Sequence, residues 1–273
     1  MLSQPTIAFI GAGNMATSLI GGLITNGYAA EKIWASNSLE NQLKGLHQHF
    51  NIQTTLDNQI AAKSADIIVL SVKPQIMPVV AAEISAIVQE KNLLVLSIAA
   101  GIQTTMLSNW LGETTPIVRC MPNMPALVQC SASALFANAN VTTEQKALAE
   151  SIIRAVGIAI WLTNEEQMDT VTALSGSGPA YFFLLMEILE QTATELGLPT
   201  EVAHLLTIQT GLGAARLALE SKHTVAELRE KVTSPGGTTE AALKVLSTGN
   251  LRNLIADAIR AAKKRAQELS LTN

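Results

Sequence analysis

Charge is scarce in this chain of 273 residues. Asp, Glu, Lys and Arg make up 15% of it against 48% hydrophobic residues, and the net charge is −4. Such a balance implies much buried surface, a subunit interface included, and room for one large domain or two modest ones. A basic face is also lacking, which speaks against a nucleic-acid partner. Residues 1–30 carry no charged side chain, and no Lys or Arg precedes Lys32. A secretory leader needs a basic segment ahead of its apolar core, so none is expected here. The uncharged stretch Asn92–Gly112 is broken by Gly101, Gln103 and several Thr, which makes it a poor membrane span. The expectation is a cytoplasmic protein with no membrane partner.

Cysteine is nearly absent too. Cys120 and Cys130 match no metal or redox spacing and read as reduced core thiols. His47 and His49 lie in a polar stretch without a Cys or carboxylate cluster, so a surface helix end is expected and no metal. One further gap matters later. Between Ala155 and Ala215 there is no Lys or Arg, and the single histidine is His204.

What is present falls into two halves. Apolar runs at 6–10, 32–36, 66–72, 92–99 and 116–121 read as strands, with further strands at 131–137 and 157–162 around a helix near 143–155. Runs without polar alternation suit strands buried on both faces, hence a parallel sheet covered by helices. Beyond about residue 163 the strand signals stop. Helices are predicted over 179–197, 200–221, 224–232, 238–248 and 251–270, apolar around most of their circumference, which suits burial against other helices, those of a second subunit included. The fold class is α/β: residues 1–163 form an N-terminal Rossmann-type dinucleotide-binding domain, and 164–273 a C-terminal all-helical dimerisation domain.

"IGAGNMA" follows the first strand and opens a helix. Gly11 suits the tight turn, Gly13 lets backbone approach a pyrophosphate, and Ala16 replaces the third glycine. The second strand ends in Ser36-Asn37-Ser38 where an NAD-preferring enzyme carries Asp or Glu, which favours NADP. A plain turn there is the alternative. "SVKP" (71–74) and "IAAG" (98–101) fall at carboxyl ends of strands, where open α/β sheets bind ligands. "LSGSGPAYFF" (174–183) and "SPGGTT" (234–239) are small-residue turns entering helices, with free N–H groups and hydroxyls suited to an anion. Each is also readable as a helix break.

Taken in order, "FIGAGNMA", "VKP", "SIAAG", "RCMPNMPALV", "ALSGSGPAY" and "VTSPGGTT" resemble the pyrroline-5-carboxylate reductases over essentially the whole chain. The resemblance implies NAD(P)H-dependent reduction of a cyclic imino acid to proline. It implies a homodimer interlocked through the helical domain, and allows a decamer of five dimers. By motif, Gly11, Gly13, Asn14 and Met15 would line the pyrophosphate of NADP, with NAD as a second cofactor. Ser36, Asn37 and Asn58 would lie near the adenosine phosphate. Ser71, Val72, Lys73 and Pro74, with Ile98, Ala99 and Ala100, would follow the rest of the cofactor. Ser175, Gly236, Gly237 and Thr238 would bind substrate, and Ser234 and Thr239 would act in catalysis. "QCS" (129–131) and Lys222 depart from the family pattern at the pocket rim. Two-domain hydroxyacid dehydrogenases place a catalytic lysine on the long helix after the dinucleotide domain, and the gap between Ala155 and Ala215 offers none. That enzyme class, and a non-catalytic NADP-sensing protein, are the competing readings.

Overall fold

The computed structural model describes residues 4–272. β1 (Ile7–Ile10) leads into α1 (Asn14–Thr25), followed by β2 (Ile33–Ser36), α2 (Glu40–Phe50), β3 (Gln53–Thr55) and α3 (Asn58–Ser64). Next come β4 (Ile67–Leu70), α4 (Met77–Lys91), β5 (Leu94–Ser97), α5 (Thr104–Leu111) and β6 (Ile117–Met121). β7 (Ser131–Ala137), α6 (Thr143–Arg154), β8 (Gly157–Trp161) and α7 (Gln167–Val171) complete the mixed half. Its strands form one sheet in the order β3-β2-β1-β4-β5-β6-β7-β8. The order reverses between β1 and β4, where Ile7 pairs with Ile33 on one side and Ile67 on the other. That reversal opens the crevice in which doubly wound sheets hold ligands.

Ile7, Ala8, Phe9 and Ile10 are all buried, because helices cover both faces. Ile7 and Phe9 pack with Leu19 and Ile20 of α1 and Ile152 and Ile153 of α6. Ala8 and Ile10 pack with Ala81 and Ile84 of α4 on the other face. Each such Ile or Leu contributes about 1.5–3 kcal/mol of burial.

The sheet departs from the all-parallel expectation at one place. β7 runs antiparallel to β6, pairing Val118 with Ala137, while β8 is again parallel to β7. The connection at 122–130 contains only a short 3-10 turn at Met124–Val128, too short for the crossover that a parallel neighbour needs. The strand β3 was not foreseen either; Gln53, Thr54 and Thr55 are polar and pair with β2 alone. Of the two cysteines expected in the core, Cys120 is buried but Cys130, at the end of the 122–130 connection, is exposed.

The chain up to Ser177, with the stretch from Ala262 onward, forms one compact unit. This unit runs past residue 163 because Met168 and Ala173 are buried in it and Glu165 pairs with Arg119. After α7, a π-helical turn at Thr172–Gly176 closes with the Ser177 amide donating to Thr172 O at 2.8 Å.

Gly178–Ala261 form the second unit. It holds α8 (Gly178–Glu195), α9 (Thr200–Glu220), α10 (Val225–Lys231), α11 (Thr238–Thr248) and the start of α12 (Leu251–Thr272). Gly197 and Pro199 end α8, and His204 on α9 meets Glu190 on α8 at 2.9 Å. Thr224 and Glu227 form a reciprocal capping box on α10. This unit has scarcely any core of its own, since Ala203 is its one buried apolar side chain among the described residues. Phe182 is 65% exposed and Leu205 68%.

Candidate active site

The carboxyl ends of β1, β2 and β4 are tied together at Gly11. Its amide donates to Ser36 O at 3.0 Å, the Ser71 amide donates to Ile10 O at 2.9 Å, and the Ser71 hydroxyl donates to Gly11 O. Gly11 has φ +93°, and a Cβ there would lie 2.7 Å from Val72 Cγ1 and 2.9 Å from Ser71 backbone. Only glycine fits. Gly13 caps α1 with no side chain on the free amides, and space beyond it is open. Asn14 is exposed and Met15 half-buried in a first turn without acidic residues. Uncapped N–H groups at the positive end of a twelve-residue helix suit a pyrophosphate, so these residues fit a dinucleotide.

At the end of β2, Ser36 is fully buried, and its hydroxyl donates to Asn58 Oδ1 at 2.8 Å. Asn58 Nδ2 in turn donates to Glu83 Oε2 on α4 at 2.8 Å. Asn37 accepts from the Leu39 amide at 3.0 Å and donates to Gln42 Oε1 at 2.6 Å. Ser36, Asn37 and Asn58 are thus brought together as the sequence suggests. The Ser36 hydroxyl is buried with its proton committed to Asn58.

Along the remaining crevice, Lys73 is exposed and Pro74 starts a 3-10 turn. The Ile98 amide donates to Leu70 O at 3.0 Å, Ala99 is buried, and Ala100 is half-buried. A cluster that sequence reasoning missed stands just beyond this loop. Glu165 accepts from the Thr104 amide at 2.8 Å and hydroxyl at 2.6 Å, and from Arg119 Nη1 at 3.1 Å. Arg119 is only 4% exposed, and a buried guanidinium requires such a partner. Ser97, its register neighbour on β5, keeps a buried hydroxyl without a partner. Asp169 lies in the same field, where burial pushes its carboxyl up while Arg119 and Lys263 pull it down.

Asn123 organises the approach to Ser175. Its Oδ1 accepts from the Ala132 amide at 2.9 Å and the Ser131 hydroxyl at 3.0 Å, and its Nδ2 donates to Ser175 O at 3.0 Å. The Ser175 hydroxyl donates back to Val171 O at 3.2 Å within the π turn.

In the second unit, Pro235 and Gly236 make a type II turn: Gly236 has φ +73°, and the Gly237 amide donates to Ser234 O at 3.0 Å. Gly237 then caps α11 with no side chain on its free amides. Ser234, Gly236 and Thr238 are exposed, and Gly237 and Thr239 half-buried. A shallow groove beside the turn is lined by Gly236, Gly237, Glu240 and Lys244. The Gly236 amide donates to Glu240 Oε2 at 2.7 Å, so the turn already accepts a carboxylate, its own. Among the described residues no group of three or more His, Cys, Asp or Glu is placed to hold a metal.

Known proteins resemble this chain in sequence and fold. Residues 165–269 match the family model for pyrroline-5-carboxylate reductase dimerisation, and residues 6–101 match that for NADP oxidoreductase, coenzyme F420-dependent. The chain is 49% identical to a pyrroline-5-carboxylate reductase of Pseudomonas aeruginosa over 98% of both chains, and 44% identical to that of Vibrio alginolyticus over the same shares. A pyrroline-5-carboxylate reductase from Coxiella burnetii superposes with TM-score 0.94 at 50% identity, covering 98% of this chain and 99% of that one. The Plasmodium falciparum pyrroline carboxylate reductase with NADP bound gives 0.88 at 27% identity, over 99% and 100%. At this identity and coverage, the chain belongs to the pyrroline-5-carboxylate reductase family.

Proposed function

We propose that this protein is an NADPH-dependent imine reductase that converts 1-pyrroline-5-carboxylate to L-proline, the last step of proline biosynthesis. The observation that carries the reading is a pair of uncapped helix entries in one chain. One, at Gly13, is fit for a dinucleotide pyrophosphate; the other, at Gly237, sits in a turn whose Gly236 amide already binds a carboxylate.

NADPH supplies the hydride. Gly11, Gly13, Asn14 and Met15 hold its pyrophosphate, and Asn58 with Asn37 addresses the adenosine phosphate, Ser36 fixing Asn58 from behind. Ser71 to Pro74 and Ile98 to Ala100 line the rest. The free Thr238 amide, with the Ser234 and Thr239 hydroxyls, anchors the substrate carboxylate against the turn formed by Gly236 and Gly237, and Ser175 lines the substrate site. A protonated C=N bond needs little help once its carbon is positioned, so binding and orientation carry most of the catalysis. The stretch without Lys or Arg between Ala155 and Ala215 fits this economy of acid–base groups. NADH serves as a second, weaker reductant.

In functional terms residues 1–163 carry the cofactor and 164–273 the dimer contacts and substrate turn. The 167–195 stretch is apolar and long enough to cross a bilayer by composition. Yet it is broken by Gly-Ser-Gly-Pro at 176–179 and carries Asp169, Glu187 and Glu190. Its exposed Phe182, Phe183, Leu185 and Leu189 are better explained as a homodimer face. We assign the protein to the cytoplasm without nucleic-acid or membrane partners, with assembly into five dimers as the larger form.

Loss of NADPH absorbance on adding pyrroline-5-carboxylate tests the activity. No turnover, with turnover on a 2- or 3-hydroxyacid instead, would refute it. Light scattering tests the assembly, and a stable active monomer would overturn the dimer.

A further inference from the structure

We propose that Glu83 sets how strongly the enzyme prefers a phosphorylated dinucleotide, acting through Asn58. The inference rests on the reading above, that the end of β2 holds the adenosine ribose. A carboxylate can only accept hydrogen bonds. Glu83 therefore compels Asn58 to turn its Nδ2 toward it, at 2.8 Å, and leaves Oδ1 for the Ser36 hydroxyl, also at 2.8 Å. Ser36 is buried with its proton committed to Asn58, so it holds this orientation from the strand side.

Two consequences follow for the half-buried Asn58. One Nδ2 hydrogen remains free, a donor suited to a phosphate oxygen and equally able to meet a hydroxyl. At the same time a negative charge sits one amide away from that donor. None of the ion pairs among the described residues involves Glu83, so its charge is not cancelled by a neighbouring cation. A ribose hydroxyl is indifferent to this charge; a 2′-phosphate is repelled by it. Glu83 thus aims a donor at the site and moderates its preference for NADP over NAD. Because Glu83 is exposed, solvent weakens the repulsion to the scale of a surface charge pair.

The test is direct binding of NADPH and NADH without substrate, followed by nicotinamide fluorescence. In Glu83→Gln the amide oxygen still accepts from Asn58, but the charge is gone. NADPH should bind about three-fold tighter, on the scale of an exposed charge pair, with NADH unchanged. The gain should shrink in high salt, which a packing change would not do. Glu83→Ala removes charge and latch together and should give a smaller NADPH gain than Gln. A selectivity ratio unmoved by Glu83→Gln, or both dinucleotides shifting by one factor, overturns the proposal. Equal gains from Gln and Ala overturn the role given to Asn58. Binding of neither dinucleotide by the wild type would instead remove the cofactor reading, and this inference with it.

Discussion

The two units of the chain solve the same problem in opposite ways. In the first, helices close over both faces of the sheet, and even a charged group such as Arg119 is buried against its partner. In the second, helices of comparable apolar content bury one apolar side chain, Ala203. Apolar composition does not separate them. The difference is where the complementary surface comes from: within the chain for the first unit and, on the proposed dimer, from another copy for the second. Stability should therefore be an intramolecular property in one and a concentration-dependent property in the other.

The largest effect is expected where the first unit is most self-reliant. Glu165→Ala strands Arg119 in a buried position and should cost about 3 kcal/mol, since breaking a buried pair leaves an uncompensated charge. Thermal melts should show a fall in Tm that does not change with protein concentration. A concentration-dependent fall would erase the contrast. In the second unit, Leu189→Asp puts a charge on the exposed face and forfeits about 2 kcal/mol of interfacial burial per protomer. Sedimentation should show monomers at concentrations where the wild type is dimeric, with the first unit still folded by hydrogen exchange.

Function should divide along the same line. Gly11→Ala forces a Cβ against Ser71 backbone at a positive φ and should cost about 1–3 kcal/mol of local strain. NADPH binding should weaken while the dimer persists. Thr239→Val removes one donor in the second unit and should lower kcat/KM for the imine by about 1–2 kcal/mol equivalent, with NADPH affinity unchanged. Equal losses of both ligands would point to misfolding instead.

The smallest effect concerns Asp169, whose carboxyl burial raises above its ordinary value against the pull of Arg119 and Lys263. A raised folded pKa favours the protonated form in the fold. The stability it contributes is present in acid and is lost as pH rises from the usual Asp range through the raised value. Asp169→Asn should keep that contribution at neutral pH. The Tm difference between variant and wild type should therefore grow as pH rises from acid toward neutral. A difference that stays flat would show that the ionised form carries no penalty.

Most of this organisation is legible in the sequence, for identifiable reasons. Strands such as Ile7–Ile10 and Ile67–Leu70 are buried on both faces and announce themselves as apolar runs. Gly11 and Gly236 stand out because positive φ leaves few alternatives. β3 was silent, since a polar three-residue edge strand has no apolar signature. The antiparallel turn into β7 was hidden as well, because an apolar run carries no direction; the short connection at 122–130 was the one available cue. The clusters of Arg119 with Glu165, 46 residues apart, and Asn58 with Glu83, 25 apart, exist only once the sheet is assembled. No local pattern encodes such pairs.

The sheet's two margins are unequal, and this bears on handling the unassembled chain. At one margin β3 offers three polar residues, a poor template for a foreign strand. At the other, β8 is five residues long, with Ile158 48% and Ile160 56% exposed beside unpaired backbone groups. Strand addition and fibril-like stacking favour longer, apolar margins of this kind. Polypeptide that has left the ribosome without finding its partner should self-associate through β8. A lysine at position 158 or 160 is then the natural gatekeeper for improving soluble yield.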